Sequence, residues 1–509
     1  MTDSEDLRPE TDPLVARRSK LEELEERGVD PYPSSWEVTA TAAELLAAYE
    51  DEGPTMEAAI AGRIVSMRVH GKSTFLHLAD ASAKIQTYLR RDVLGEEAYG
   101  LVDRLDLGDF LGVVGEVFRT RTGEVTLRAE EVRLLAKSLR PLPIGKEVED
   151  EEGETRAYHR VADREFRYRQ RYADLAVRPE GREVFEERAR IVRSLRDFLD
   201  ARGFLEVETP ALQPVYGGAN ARPFTTYHNA LDRTLYLRIA DELYLKRCVV
   251  GGIERVYEIA KDFRNEGLSR FHNPEFTMLE FYQAYADYRD LMELTEELIA
   301  EVVGRVAGGT TLTWQGVTVD VAPPWPRVRF LEALEERGID VGDLDREALA
   351  AQAEARGMEI EPADGPGKIL DRLFVELVEP DLAGPAFVID HPKSLSPLAK
   401  SHPDDPRLVE RFEVYLFGQE LGNAFSELND PREQRRRFEE QAERAAAGDV
   451  EAAATVDEDF LRALEYGMPP TAGMGIGVDR LVMFLTDTPS IRDVILFPLL
   501  RPEEEEGEG

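Results

Sequence analysis

The sequence predicts an α+β protein, in which a small barrel of β-strands is followed by a larger domain with both hairpins and helices. Between residues 56 and 137 apolar and polar residues alternate, which is typical of half-buried strands. Further along, residues 256–282 and 411–430 each have the pattern of two strands around a turn, and helical stripes lie before and between them. The change of period along the chain therefore indicates separate domains.

The chain has the length and composition of a globular protein with two or three domains. It has 509 residues, of which 42% are hydrophobic, so it can bury a large core. The N-terminus, MTDSEDLRPETDP, lacks the apolar segment of a signal peptide, and no stretch reaches the roughly 20 apolar residues of a membrane helix. Cys248 is the single cysteine, so an internal disulfide is impossible and a structural zinc site is not expected. We therefore expect a cytoplasmic protein.

Acidic residues greatly outnumber basic ones. There are 101 Asp and Glu against 63 Lys and Arg, which gives a formal net charge of −38. Such a surface repels itself at low ionic strength, and salt relieves the repulsion. We hypothesise a halophilic adaptation to a cytoplasm of high salt. The alternative is an ordinary acidic protein whose charge aids solubility.

The first half of the chain is predicted to contain a helical extension, a barrel and a linker. In residues 1–55, Leu21 and Leu24 share one helical face, and the acidic composition argues against an arm that binds nucleic acid. Residues 56–137 predict four or five short antiparallel strands, and an oligonucleotide-binding (OB) barrel is the leading choice. The alternative is a barrel used only for packing. Residues 138–160 predict a linker, 161–501 the larger domain and 502–509 an acidic tail.

The hairpin of residues 256–282 carries the residues best suited to hold a nucleotide. Arg264 ends the first predicted strand, and Arg270 and His272 lie in the loop that follows. An arginine fork can bind two oxygens of a phosphate or carboxylate at once, and the loop residues add further donors. The alternative is an ordinary surface hairpin.

The hairpin of residues 411–430 is rich in carboxylates. If Gly418 and Gln419 close a two-residue turn, Glu413 and Glu420 lie on one face of the sheet, where they could hold Mg²⁺. Residues 423, 425 and 427 have the opposite parity, so a bulge, which Gly422 permits, is needed to bring them to that face. The alternative is an exposed acidic hairpin.

Three ordered segments resemble the motifs of the class II aminoacyl-tRNA synthetases. The words FRNEG and RFHNPEFTMLE, which begin at Phe263 and Arg270, resemble motif 2, specifically that of the lysine enzymes. Val184, Ile191, Leu195 and Phe198 form a helical stripe before RGFLEVETP, as in motif 1, and GMGIGVDRLVMFL supplies Arg480 of motif 3. The resemblance spans about Leu14 to Pro498. One departure is Ala472 in PTAG, where glycine is common.

The resemblance implies a lysine–tRNA ligase of the IIb subgroup, with an N-terminal OB domain that reads the anticodon and a catalytic domain built on an antiparallel sheet flanked by helices. It implies lysine, ATP, Mg²⁺ and tRNA(Lys) as ligands, and a homodimer. The catalytic residues would be Arg264 and Arg480. The implied ATP site is Arg264, Glu266, His272, Asn273, Phe276, Glu413, Glu420 and Arg480, with Glu413 and Glu420 on the metal. The implied lysine site is Gly218, Glu242, Arg264, Glu280, Tyr282, Asn423, Phe425 and Glu427. The implied anticodon site is Phe75, Gln86 and Glu131.

Three alternatives remain open at this point. A protein-lysine ligase would use the same catalytic domain, but such relatives lack the anticodon barrel. A non-catalytic paralogue that binds tRNA is disfavoured by Arg264 and Arg480. An aspartate or asparagine enzyme is disfavoured by Glu280 and Glu427, and an aspartate-specific site would require a cationic residue where this chain offers acids.

Overall fold

The chain divides into two units, Met1–Arg178 and Pro179–Gly509. The computed structural model describes residues 12–143, 146–149, 155–158, 163–342, 344–361, 364–446 and 455–502, with backbone only for 146–149 and 155–158. Residues 1–11 of the predicted helical extension, part of the predicted linker and residues 503–509 of the predicted tail lie outside the described residues. No helix within these ranges is long and apolar enough to cross a membrane.

The first unit contains a closed five-stranded barrel with the strand order β1-β2-β3-β5-β4. The prediction of a barrel is confirmed, although one of the strand pairs, β3 with β5, is parallel. Buried and partly exposed residues alternate along β2 and β3, as the sequence pattern predicts. The strands are β1 Glu57–His70, β2 Ser73–Ala79, β3 Lys84–Arg90, β4 Phe110–Arg119 and β5 Val125–Ala136.

Helices precede and interrupt the barrel, and short elements follow it. Leu24, on the predicted apolar face of the first helix, is buried in the hydrophobic cluster of the barrel. The helices are α1 Pro13–Glu26, α2 Ala42–Ala48 and α3 Arg91–Tyr99. Within the predicted linker and just after it lie β6 Lys146–Glu149, β7 Thr155–Tyr158, α4 Arg164–Arg169 and α5 Arg171–Val177.

The second unit is built on an eight-stranded sheet, with the order β16-β17-β18-β19-β20-β13-β12-β8. All its strand pairs are antiparallel except β12 with β8 and β16 with β17. Its strands are β8 Leu205–Glu206, β12 Arg255–Phe263, β13 Glu275–Ala284, β16 Arg327–Arg329, β17 Ala386–Ile389, β18 Arg411–Leu416, β19 Gln419–Ser426 and β20 Thr471–Gly477. Smaller sheets contain β9 Leu212–Gln213, β10 Thr225–His228, β11 Arg233–Leu237, β14 Thr311–Trp314 and β15 Val317–Asp320.

Helices cover the sheet, as expected for an α+β fold. The predicted stripe lies on α6, where Ile191, Leu195 and Phe198 are fully buried in the main hydrophobic cluster. The helix α8 begins at a capping box formed by Asp287 and ends at Gly308, which has a left-handed φ of 77°. The helices are α6 Pro179–Asp200, α7 Glu242–Val250, α8 Tyr288–Ala307, α9 Phe330–Glu336, α10 Arg346–Glu354, α11 Pro366–Leu377, α12 Pro431–Ala446, α13 Glu458–Glu465, α14 Val478–Leu485 and α15 Ile491–Val494.

The predicted register of the β18–β19 hairpin is wrong by one residue. Leu416 pairs with Gln419, so the turn is Phe417–Gly418, and both turn residues have a positive φ, 57° and 68°. Positive φ at both positions gives the turn the twist that antiparallel strands require. The predicted bulge does occur, because Tyr415 pairs with residue 420 whereas the preceding residue pairs with 422. The bulge brings the later residues of β19 to the face of the acidic side chains.

We expect the α6 stripe to be a main determinant of the stability of the second unit. Phe198→Ala should lower the free energy of unfolding by about 3–5 kcal/mol, because it leaves a cavity in a fully buried cluster. Val375→Ala, at a side chain that is 49% exposed, should change it by less than about 0.5 kcal/mol. Urea unfolding followed by tryptophan fluorescence measures both. Equal losses in the two variants would contradict this account of the core.

Candidate active site

Two adjoining cavities lie on one face of the eight-stranded sheet. The first has a volume of about 360 Å³ and the second about 350 Å³. They share Arg264, Glu420 and Asn423 among their lining residues. A ligand group beside Arg264 is therefore within reach of both cavities.

Most of the predicted site residues line one or both of these cavities. The first is lined by the predicted residues Gly218, Glu242, Arg264, Glu280, Tyr282, Glu413, Glu420, Asn423 and Phe425. The second is lined by Arg264, Glu266, His272, Asn273, Phe276, Glu420, Asn423 and Arg480. Glu427 lines neither cavity and is buried, with 1% of its surface exposed.

Strand register explains why these side chains meet. Glu280 on β13 pairs with Gly475 on β20, which also pairs with Asn423 on β19, and Asn423 pairs with Glu413 on β18. Residues that are directly opposite in neighbouring strands share a face, so polar side chains from three strands face one space across a glycine. The alternate residues of β20, Met474 and Ile476, are buried in the hydrophobic cluster. The GMGIG segment is thus a strand whose glycines form the floor of the first cavity.

A lysine of the chain itself lies among the acidic residues of the first cavity. The Nζ atom of Lys246, on α7, is 2.5 Å from Oε1 of Glu242 and also forms an ion pair with Glu427. It lies 5.3 Å from the centre of the Phe425 ring. Lys246 is fully buried. The sequence analysis missed this residue, although the spacing of four between Glu242 and Lys246 on a helix is typical of an ion pair.

The first cavity contains more acid than this lysine can balance. Burial, together with the charges of Asp262 and Glu242, raises the pKa of Glu280 to about 8. Burial also raises the pKa of the Glu242 and Glu427 carboxyls, which Lys246 opposes. The Tyr282 hydroxyl donates to Oε2 of Glu280 at 3.2 Å. A bound cation would stabilise the ionised form of these carboxylates, so the cavity is suited to an ammonium group.

Arg264 is held at the junction of the cavities by the backbone around it. Its N–H donates to the carbonyl of Pro274 at 2.9 Å, and its Nε donates to the carbonyl of Ile239 at 3.3 Å. The guanidinium carbon lies 5.1 Å from the centre of the Phe276 ring. The fork can therefore bind an oxyanion beside an aromatic face.

The second cavity has cationic and aromatic walls. The Nη2 of Arg480 donates to Nε2 of His272 at 3.1 Å, and Ser269 bonds the other ring nitrogen at 2.8 Å. Loss of solvent and the Arg480 charge lower the pKa of His272, so its ring is neutral near pH 7. The side-chain nitrogen of Asn273 donates to the carbonyl of Glu275 at 2.6 Å. The walls are thus suited to phosphate oxygens and to a flat ring.

The Asp479 carboxylate forms hydrogen bonds to elements that carry the walls of the second cavity. Asp479, next to Arg480 on α14, accepts from Nη1 of Arg188 on α6 and from the backbone N–H of Thr277 on β13, each at 2.6 Å. Asp479 is 2% exposed. The strand that carries Phe276 and the helix that carries Arg480 are therefore fixed to the same group.

The residues expected to hold Mg²⁺ lie in an acidic cluster that fits a hard cation. Glu413 accepts from Arg411 at 2.6 Å, and Glu420 lies 3.7 Å from Arg480. Two further acids missed by the sequence analysis face them. Burial and Glu413 raise the pKa of Asp371 to about 6, and burial and Glu420 raise that of Glu379 to about 7. Oxygen ligands with excess negative charge are what Mg²⁺ requires.

The predicted anticodon residues lie on the outer face of the barrel. The half-buried Phe75 ring stacks on Tyr88, with a distance of 4.4 Å between the ring centres and an interplanar angle of 18°. The Gln86 amide nitrogen donates to Glu124 at 2.7 Å. Glu131 is exposed on β5. The stacked pair offers an aromatic platform in a segment, residues 56–137, that contains 12 Lys and Arg against 12 Asp and Glu.

Comparison with known families agrees with this architecture. Residues 163–501 match the family described as tRNA synthetases class II (D, K and N). Residues 58–135 match the OB-fold nucleic acid binding domain. The first match covers more than half of the chain, so the chain belongs to the class II aminoacyl-tRNA synthetases.

Individual relatives identify one family within this class. The chain is 54% identical over 495 residues to a lysine–tRNA ligase of Pelotomaculum thermopropionicum. This alignment covers 96% of this chain and 95% of the relative. It is 52% identical over 501 residues to the lysine–tRNA ligase of Moorella thermoacetica, covering 98% and 100%, respectively. It is 49% identical over 502 residues to that of Thermotoga maritima, covering 97% of both. The chain belongs to the lysine–tRNA ligase family.

We expect the floor of the first cavity to tolerate no side chain. A Cβ at Gly473 would overlap the Tyr282 ring and the Glu427 carboxylate, so Gly473→Ala should cost about 1–3 kcal/mol of stability by overpacking. Gly304→Ala, in α8 with nothing within 4 Å of the added Cβ, should be neutral or stabilising. Thermal unfolding of both variants tests this. A Gly473→Ala protein as stable as wild type would contradict the close packing described.

Proposed function

We propose that the chain activates L-lysine with ATP to give lysyl-adenylate and pyrophosphate, and then transfers lysine to the 3′ end of tRNA(Lys). The observation that carries the proposal is the excess of buried carboxylates in a cavity that shares Arg264 with a second, nucleotide-sized cavity. Lysine is the standard amino acid with a flexible side chain that ends in a primary ammonium, so it brings two ammonium groups to this acidic space.

Each end of the amino acid has a partner in the first cavity. Glu242 and the carbonyl of Gly218 receive the α-ammonium, and Arg264 receives the α-carboxylate. Glu280 and Tyr282 receive the ε-ammonium. The remaining implied residues, Asn423, Phe425 and Glu427, bound that end of the cavity, with Glu427 acting through its ion pair with Lys246. A buried ammonium without carboxylate partners would be costly, which favours lysine over neutral side chains.

Gly218 is required for this arrangement by the space around it. Its φ is +92°, a conformation that residues with a Cβ rarely adopt. An added Cβ would lie 2.9 Å from the Cβ of Ala240 and 3.3 Å from that of Glu242. The position therefore favours glycine, and its backbone carbonyl is available to a ligand.

The chemistry needs no side-chain nucleophile. The lysine carboxylate oxygen attacks the α-phosphorus of ATP, and the bond to the β-phosphate bridging oxygen breaks to release pyrophosphate. Arg264 lies where it can contact both the carboxylate and the α-phosphate, so it orients the reactants and neutralises charge that develops between them. Phe276 and Arg480 enclose the adenine, and Glu266, His272 and Asn273 hold the rest of the nucleotide.

Glu413 and Glu420 are the residues that would hold Mg²⁺, with Asp371 and Glu379 adding negative charge around them. When bound, Mg²⁺ neutralises phosphate oxygens of ATP. The Arg411 side chain, at 2.6 Å from Glu413, keeps that carboxylate oriented toward the cavity.

The barrel supplies selection of tRNA. Phe75 stacks an unpaired anticodon base, while the amide of Gln86 and the carboxylate of Glu131 read base edges. Recognition by stacking and base edges depends less on salt than recognition of phosphates does. The barrel argues against a protein-lysine ligase, because such relatives lack an anticodon domain.

The proposal also covers the oligomeric state and the cellular location of the protein. We infer a homodimer formed through α6 and the strand after it, and a cytoplasmic location. The hypothesis of adaptation to high salt stays a prediction, because the comparisons give it no support and the net charge of −38 also fits an ordinary acidic enzyme.

Amino-acid-dependent exchange of pyrophosphate into ATP tests the activation step. Exchange should require lysine and Mg²⁺ and proceed without tRNA. Arg264→Ala should lower the exchange rate by at least about 100-fold, as does loss of a donor to developing charge. Arg432→Ala, at an arginine whose side chain is 89% exposed, is the matched control and should keep the wild-type rate. Exchange that follows aspartate instead of lysine would sink the assignment.

Aminoacylation of tRNA(Lys) tests the barrel separately. Phe75→Ala and Glu131→Ala should lower kcat/KM for tRNA, by roughly 5- to 150-fold for the loss of one stacked base. Both variants should retain pyrophosphate exchange, since that reaction uses no tRNA. Val93→Ala, at an apolar residue of the same unit that is 43% exposed, should affect neither reaction. Parallel loss of both activities in the Phe75 variant would assign the barrel a folding role.

A further inference from the structure

Three acidic side chains meet beside the first cavity, and two of them have no part in the proposed reaction. Asp241 precedes α7, Asp262 lies near the end of β12 and Glu280 lies on β13. One carboxylate oxygen from each lies within 4.8 Å of the other two. The exposed fractions of the three residues are 0%, 0% and 5%. Neither Asp241 nor Asp262 lines either cavity.

The two buried aspartates have little polar compensation. Among the described residues, no hydrogen bond of good geometry is made to either carboxylate oxygen of Asp241 or of Asp262. Arg238 forms ion pairs with both, at 3.0 Å and 3.5 Å, but it pairs more closely with Glu258, at 2.8 Å. These buried carboxylates are therefore only partly compensated, and each is directed into the same small cluster.

The negative charges around the cluster outnumber the positive ones, and a divalent cation would balance them. The carboxylates that face it are Asp241, Glu258, Asp262 and Glu280, and the nearby cations are Arg238 and Arg264. Two negative charges are thus left without a counter-charge. A proton or a metal ion must supply the missing charge, because a buried unpaired carboxylate is very costly.

We propose that Asp241, Asp262 and Glu280 bind one hard divalent cation. All three ligands are carboxylate oxygens, which such cations prefer. The three oxygens are close enough to share one ion, because no two of them are more than 4.8 Å apart.

The cation would have a structural effect on the lysine site. One oxygen of Glu280 would face the cation, and the other accepts the Tyr282 hydroxyl at 3.2 Å. The backbone N–H of Asp241, directly before α7, donates to Oε1 of Glu280 at 3.4 Å. The cation thereby keeps Glu280 ionised and links it to the helix that carries Glu242 and Lys246. This metal site is separate from the ATP-dependent site at Glu413 and Glu420.

Manganese binding to the full-length chain tests the proposal. The protein is treated with EDTA, kept free of ATP and lysine, and titrated with MnCl₂, and bound Mn²⁺ is counted by electron paramagnetic resonance. The Asp241→Asn/Asp262→Asn variant should bind one Mn²⁺ fewer per chain than wild type. Glu413→Gln/Glu420→Gln should retain that ion, and Glu293→Gln, at an exposed acid of α8, should match wild type. Mn²⁺ should raise the melting temperature of wild type but not of the aspartate variant.

Other outcomes overturn the proposal. Equal numbers of bound Mn²⁺ in wild type and in the aspartate variant would place every ion elsewhere. A wild-type melting temperature that ignores Mn²⁺, together with a more stable aspartate variant, would mean that protons neutralise the cluster. If the variant does not fold, anomalous diffraction from wild-type crystals soaked in MnCl₂ decides: a peak between the three carboxylates supports the site, and its absence rejects it. None of these measurements depends on lysine activation.

Discussion

Buried negative charge beside the central strands is the constraint on which the candidate site depends. Glu242, Glu280 and Glu427 approach one another there, and Lys246 is the chain's own cation that pairs with two of them. Isolated charges are costly inside a protein, so the arrangement is balanced only when a further cation is present. In the proposed function, amino-acid selection follows from this excess of negative charge, and strand register and the glycines of β20 keep the acids close together.

Much of the fold and of the site could be predicted from local patterns. The change of hydrophobic period marked the barrel, and a stripe such as Ile191 and Leu195 marked α6, because burial of one face is written directly into the spacing of apolar residues. Arg264 and Arg480, which the motifs singled out, both line the second cavity.

The failures have more than one physical cause. The turn of the β18–β19 hairpin was misplaced because Phe417 accepts a positive φ that sequence preference assigns to glycine. Lys246 was missed because its helix was considered only for Glu242, although their spacing of four residues is a local signal of an ion pair. Asp371 was not predicted as a site residue, since its helical pattern does not reveal that α11 lies near Glu413. Tertiary packing decides that approach, and a single sequence contains no direct signal for it.

The hydrogen bonds of Asp479 fix the width of the proposed nucleotide site. Since α6, β13 and α14 all attach to this carboxylate, the gap between Phe276 and Arg480 is a dimension of the folded chain and does not have to be created by the ligand. A flat ring that enters such a gap orders few side chains, so little conformational entropy is lost on binding. If the proposed adenine site is correct, it selects its ligand by shape: planar aromatic bases fit, whereas puckered or bulky groups must deform a junction that holds three elements of the fold together.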